Sequence, residues 1–279
     1  MIRYPGSKDK IAHLIIRRFP DALGVGPLFR ASRLEYREPF FGAGAVGLDV
    51  LDGVEPHYTV WINDLDFGMQ CLWKAVFDVP DELIALVRAF TPSVDVFYQF
   101  RKEDGRRDLD VVESGFRKLV LHQTSFSGLG AKAGGPIGGR RQSSRFNVDC
   151  RWNPSRLCLR IVRSNHVLHQ FAQVKITSVD FAKLIVGAPQ HAFIYADPPY
   201  VEKGSVLYKH GFSEDDHRRL AAALRACQAS WVLSYDDHPL VHELYASWAR
   251  IERVELTYTT AVAVGRRRKN AEVIISRAA

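Results

Sequence analysis

The chain has 279 residues, 47% hydrophobic and 25% charged, a balance that supports a sizeable core and excludes a fibrous or low-complexity protein. Its net charge of +7 suits a polyanionic partner. No apolar run approaches the roughly 20 residues of a spanning helix, the N-terminal apolar stretch is too short for a secretory signal, and the four cysteines form no CxxC pair. A cytoplasmic protein with reduced thiols is therefore expected, with no membrane contact and no metal.

The first residues, Arg3-Tyr4-Pro5-Gly6-Ser7-Lys8, read as a loop before a helix over about 10–19. Residues 37–41 predict a strand running into Gly42-Ala43-Gly44-Ala45 and a helix that ends near 51. A second strand over 58–62 ends at Asn63-Asp64, which completes a βαβ unit around a glycine turn. From 67 to 169 the spacing turns helical, at 73–77, 83–90, 97–100 and 116–121. Inside that block, residues 127–145 form a glycine-rich basic loop or hairpin, expected to be mobile and outside the core. Strand–helix alternation resumes with strands at 174–176 and 192–196, a helix over 215–228, a strand at 231–233 and a helix over 239–248. Two closing strands near 254–259 and 272–276 read as antiparallel, joined by the basic residues 265–270. The expected fold is α/β: a doubly wound sheet built from 1–68 and 170–279, interrupted by a mostly helical insert over 69–169. An insert of that size should fold separately, since long structureless loops are uncommon in compact domains.

Asp197-Pro198-Pro199-Tyr200 follows the buried strand 192–196, so it lies where open α/β sheets bind ligands. This set suits an exocyclic amine, a poor nucleophile whose lone pair is delocalised into its ring. Asp197 can accept one N–H, and a carbonyl of the rigid Pro-Pro step the other. Tyr200 can stack on the face of a base. A capped strand-end turn explains the acid and one proline, but not the aromatic after two prolines.

Glycines 42 and 44 let the backbone approach a ligand closely, although a plain strand–helix turn fits them equally. The third glycine of the dinucleotide fingerprint is missing, which argues against a nicotinamide cofactor. Asp64, at the end of the second strand, can accept ribose hydroxyls or cap a helix.

These motifs resemble those of the Dam-type DNA adenine-N6 methyltransferases. Arg3 to Lys8 is similar to that family's N-terminal motif, Glu38 to Val46 to its glycine motif, Asn63-Asp64 to its ribose motif, and Asp197 to Tyr200 to its catalytic one. Val179-Asp180-Phe181, Gly211 to His217, Val232 to Ser234 and Asn270 to Ile275 also match, so the likeness spans nearly the whole chain. It implies a Rossmann-like methyltransferase sheet, S-adenosylmethionine as cofactor, and an insert over 69–169 that recognises DNA. By the same carry-over Tyr4 and Lys8 close over the cofactor's methionine end, with Lys8 on its carboxylate. Glu38, Phe41, Gly42, Ala43 and Gly44 hold the methionine moiety, Asp64 the ribose, and Asp180 with Phe181 the adenine.

The implied substrate is an adenine flipped out of double-stranded DNA, at an expected cost of a few kcal/mol, of the order ~2–5. Gln123 to Leu129 and Arg145 to Val148 resemble the family's recognition segments. Phe126 would wedge into the stack, with Arg3, Ser127, Lys132, Arg140, Arg141 and Arg145 on phosphates or base edges. Taken one at a time these arginines read as solvated charges; clustered beside glycines they read as a binding surface. GATC-methylating members place an asparagine where Ser127 stands, so GATC is not assigned. Arg266 to Lys269 is a hairpin tip or a second backbone contact. A monomer is expected, with a dimer as the alternative. The rival functions are methylation of cytosine N4 or of RNA adenine, and a non-catalytic DNA-binding protein on a methyltransferase scaffold.

Overall fold

The computed structural model describes Lys8, Ala12, Ile15 and residues 35–52, 59–201, 211–256 and 270–277. Seven strands form one sheet: β1 (Glu35–Glu38), β2 (Thr59–Asn63), β3 (Gln173–Thr177), β4 (Ala192–Ala196), β5 (Ser230–Asp236), β6 (Ala249–Leu256) and β7 (Asn270–Arg277). Their order is β3-β2-β1-β4-β5-β7-β6. β1 pairs in parallel with both β2 and β4, and β7 runs antiparallel to both its neighbours, β5 and β6. Strand order therefore reverses between β1 and β4, the switch point where such sheets open a crevice.

Alternation along the strands divides the core into two faces. Ala192, Ile194 and Ala196 pack with Trp231, Leu233 and Ile275 against α7 (Ala182–Ile185), α8 (Glu214–Ala226) and α9 (Pro239–Tyr245). Phe193 and Tyr195 face the other way with Tyr36, Ile62, Val232 and Ile274. That second face is covered by α1 (Ala45–Leu51) and by the helices of the insert: α2 (Phe67–Asp78), α3 (Pro80–Ala89), α4 (Val94–Lys102), α5 (Val111–Thr124) and α6 (Pro154–His169).

The helices of the insert share one continuous core with the sheet. Leu72, Trp73, Leu83, Phe97, Phe116 and Ile161 belong to the same continuous core as Tyr36, Ile62 and Phe193. The reason is burial: an apolar sheet face must be covered, and these helices cover it. β6 also begins earlier than expected, because its pairing with β7 runs from Ala249 onward. It is the edge strand, and Arg250, Glu252 and Arg253 hide its period. Among the described residues no helix is long and apolar enough to cross a membrane, and no three His, Cys, Asp or Glu side chains cluster as a metal site.

Candidate active site

A cleft of about 1040 Å³, counted with its open mouth, lies over the carboxyl ends of β1, β2 and β4; Lys8, Glu38, Phe40, Asp64, Phe181 and Asp197 are among its lining residues. After β1 the chain turns through Gly42 and Gly44, both left-handed at φ 49° and 67°. Any Cβ on Gly44 would also lie 2.9 Å from the rings of Phe41 and Trp73. Trp73 fixes this turn from the insert: it meets Phe41 edge-on at 4.6 Å and donates Nε1–H to the Gly42 carbonyl at 2.8 Å.

Asp64 sits beside that turn. The Gly42 amide donates to one of its carboxylate oxygens at 3.0 Å and the Asp66 amide to the other at 2.9 Å. Burial pushes this carboxyl up to about 7, the Asp66 charge adds to the shift, and the two amide bonds and Lys118 oppose it. Asn63 ties the floor together. Its amide donates to the carbonyls of Pro39 and Val179, both at 3.0 Å, and its oxygen accepts from the Val179 amide and the Thr177 hydroxyl. Glu38 is buried and accepts from the Tyr36 hydroxyl at 2.6 Å. Burial holds its carboxyl well above the usual range, the Tyr36 bond opposes this, and the Asp197 charge adds to it.

One wall is aromatic: Phe40, Phe181 and Phe212 stand 5.6–5.7 Å apart, centroid to centroid. Asp180 lines the cleft, but both its oxygens accept from Arg219 Nη2 at 3.0 Å. Arg219 also bonds Asp216 at 2.8 Å and lies 5.0 Å over the Phe181 ring, so it latches α8 onto the wall. The expected pairing of Asp180 with an adenine thus meets a carboxylate already engaged by an arginine, while Phe181 keeps its place in the wall.

β4 is buried along its whole length and delivers Asp197 to the cleft. Lys8 Nζ lies 2.9 Å from Asp197 Oδ1 and 4.5 Å over the Tyr200 ring. The expected partner of Lys8 was a cofactor carboxylate; here it pairs with the catalytic-motif acid. Ser234 donates to the same Oδ1 at 2.8 Å. Pro198 is buried, and Pro199 lines the cleft. Burial, then the charge of Asp197 and the charge and hydrogen bonding of the Glu272 carboxylate, hold the Tyr200 phenol well above its usual value. Asp236 accepts from the Val201 amide at 3.2 Å and anchors the far end of the turn.

The glycine-rich basic segment expected to recognise DNA follows α5. A bridge pairs Ser125 with Pro136, the Ile137 amide donates to the Thr124 carbonyl at 2.8 Å, and the Phe126 amide donates to Gly135 at 3.0 Å. Ala133, Gly130 and Pro136 are buried, so this stretch is a folded loop partly inside the core rather than a free one. Phe126 is 64% exposed, and Ser127, Lys132, Arg140, Arg141 and Arg145 all point to solvent. Arg140 rests 4.7 Å over Tyr98, and Arg145 lies 5.6 Å over Phe146, itself 55% exposed. Arg3, Tyr4 and the run 266–269 lie outside the described residues.

Sequence reasoning missed Phe40, Phe212, Arg219, Tyr195 and Ser234. Phe40, Phe212 and Ser234 all stand inside segments that resemble the family. Phe212 carried a signal as well, since it precedes Ser213, the N-cap of α8 in a capping box with Asp216.

The chain is 28% identical over 254 residues to the Type II methyltransferase M1.LlaDCHI of Lactococcus lactis subsp. cremoris, which covers 86% of this chain and 84% of that one. It is 25% identical over 245 residues to the Type II methyltransferase M.MjaIII of Methanocaldococcus jannaschii, covering 80% and 78%. An O-methyltransferase structure from Streptomyces achromogenes, TomG in complex with SAM, aligns along the whole chain and 92% of its own, but at 10% identity and a TM-score of 0.35, too slight to bear on fold or function. The description D12 class N6 adenine-specific DNA methyltransferase matches residues 4–260, nearly the full length, and the chain belongs to that family.

Proposed function

We propose that this DNA adenine-N6 methyltransferase acts on an adenine flipped out of double-stranded DNA, with Asp197 as the acceptor that holds the amine and Tyr200 as its stacking surface. The observation that carries this reading is the Asp197 carboxylate, pinned at the carboxyl end of β4 in the same cleft as Asp64 and the Phe40–Phe181–Phe212 wall. The donor is S-adenosylmethionine, which supplies an electrophilic methyl group on a sulfonium sulfur. The cleft residues fit that molecule. Asp64 keeps lone pairs for ribose hydroxyls, the aromatic wall suits a purine, and Glu38 with Phe41, Gly42, Ala43 and Gly44 borders the remaining end.

Asp197 and a carbonyl of the Pro198–Pro199 step accept the two N–H bonds of the amine and turn its nitrogen toward the methyl group. Positioning and electrostatics then do most of the work. Asp197 need not be a strong base, because the methylated amine is acidic and sheds its proton readily. The exposed Phe126 takes the place of the flipped base, and Ser127, Lys132, Arg140, Arg141 and Arg145 grip the duplex, joined by Arg3. Both relatives are called Type II methyltransferases, which supports a restriction–modification role. A DNA substrate and four free thiols support a cytoplasmic location. One chain carries both cleft and recognition loop, which supports a monomer.

The test is Asp197→Ala in an assay that digests methylated DNA and identifies N6-methyladenine by mass spectrometry. Transfer should vanish while calorimetry still shows S-adenosylmethionine binding; a variant of undiminished activity overturns the reading. DNA affinity should also fall steeply with salt, and indifference to salt rules out the basic grip.

A further inference from the structure

Ser234 is fully buried on β5, and its hydroxyl donates to Asp197 Oδ1. A hydroxyl carries one proton. With that proton given to Asp197, the 2.9 Å contact between Ser234 Oγ and the Tyr195 hydroxyl has Tyr195 as donor. Burial, and then the Asp197 charge, hold the Tyr195 phenol well above its usual value, so it keeps the proton it donates. The geometry follows from the strands. Tyr195 and Asp197 alternate onto one side of β4, and Tyr195 lies opposite Val232, two residues before Ser234. Lys8 Nζ approaches the same Oδ1. Both contacts fall on the same oxygen, Oδ1.

We infer that the Tyr195–Ser234 pair is a positioning device for methyl transfer: with Lys8 it clamps Oδ1 of Asp197 and leaves Oδ2 as the oxygen that receives the target amine. The inference rests on the role proposed above for Asp197. A carboxylate turns broadly about its terminal torsion. Fixing one oxygen removes that freedom before the base arrives, and a small misplacement of a holding group is costly to rate.

The experiment measures single-turnover transfer at saturating DNA and S-adenosylmethionine, together with the dissociation constants of both, for Ser234→Ala, Tyr195→Phe and the double variant. Ser234→Ala should slow transfer about tenfold with both constants unchanged. Tyr195→Phe should slow it less, and the double variant should be no slower than Ser234→Ala, because Tyr195 acts only through Ser234. Where Ser234→Ala fails to fold, Tyr195→Phe, which lacks one oxygen only, carries the test. A wild-type rate in Ser234→Ala or in Tyr195→Phe overturns the inference, as does a double variant whose loss is the product of the two single losses. If Asp197→Ala is active in the same assay, the underlying role of Asp197 has failed instead.

Discussion

Lys118 Nζ, on the inserted helix α5, lies 2.5 Å from Asp66 Oδ2, two residues past the Asp64 carboxylate of the cleft. Asp104 takes the same ammonium at 3.0 Å, and Lys118 is buried. Burial works against its charge, yet the two carboxylates more than compensate and raise its pKa. One turn along the same helix, His122 donates Nδ1–H to the Gly128 carbonyl at 2.8 Å and so shapes the glycine-rich loop. Burial, with Lys118 adding, pushes this imidazole down to about 4, which keeps it neutral in that role. From Lys118 to the end of α5 is roughly 9 Å of helix, so the Asp64 end of the cleft and the loop after α5 are joined by one short rigid rod. Lys118→Met leaves two buried carboxylates uncompensated and should cost about 3–5 kcal/mol in urea unfolding. Adding Asp66→Asn and Asp104→Asn should restore most of that loss.

If Asp64 holds the ribose as proposed, its raised carboxyl should make cofactor binding depend on pH. Ribose hydroxyls donate best to the ionised form, so binding favours loss of its proton. In the free protein that group titrates at about 7. Affinity for S-adenosylmethionine should therefore rise by about tenfold between pH 6 and pH 8 and level off above. Calorimetry in two buffers of different ionisation enthalpy should register proton release at pH 6.5 that fades by pH 8.5, and Asp64→Asn should abolish it. The sign for stability runs the other way from a paired aspartate. The folded value lies above the ordinary 3.8, so this group's contribution is full at low pH and is lost as pH rises toward 7.

Much of the site was legible because a parallel sheet writes its own grammar: a short apolar run, a turn, then the functional residue. Asp64 and Asp197 both stand at such ends. What stayed hidden depends on register and layer. Phe40 and Phe212 meet only because β1 and the start of α8 converge on the cleft, and nothing in either local sequence names the other. The Ser234 hydroxyl gains its meaning from the pairing of β4 with β5. Helical spacing across the insert announced amphipathic helices, but periodicity reports that a face is apolar, not what covers it; here it is the sheet.

Ser127 is a non-glycine residue held at φ 56° in the recognition loop. Left-handed backbone costs an ordinary side chain about 1–2 kcal/mol, and asparagine tolerates it better. Ser127→Asn should therefore raise stability by about 0.5–1 kcal/mol in denaturant unfolding. An unchanged midpoint would show that the loop relaxes around the serine at no cost.

Gly47 on α1 has a different constraint, since its φ is ordinary. A Cβ at that position would clash with Glu38 Oε2 and lie 2.6 Å from the Phe41 ring. The Tyr36 hydroxyl holds Glu38 from below at 2.6 Å, so the carboxylate has no room to retreat. Gly47→Ala must push Glu38 into the cleft or move α1 off the sheet. The expected result is a loss of S-adenosylmethionine affinity of about tenfold or more, with about 1–3 kcal/mol lost from the fold by overpacking. Shortening the acid in Gly47→Ala/Glu38→Asp frees the space and should recover the stability, but not the affinity, because the carboxylate then falls short of the cofactor. Recovery of both would assign Glu38 to packing alone.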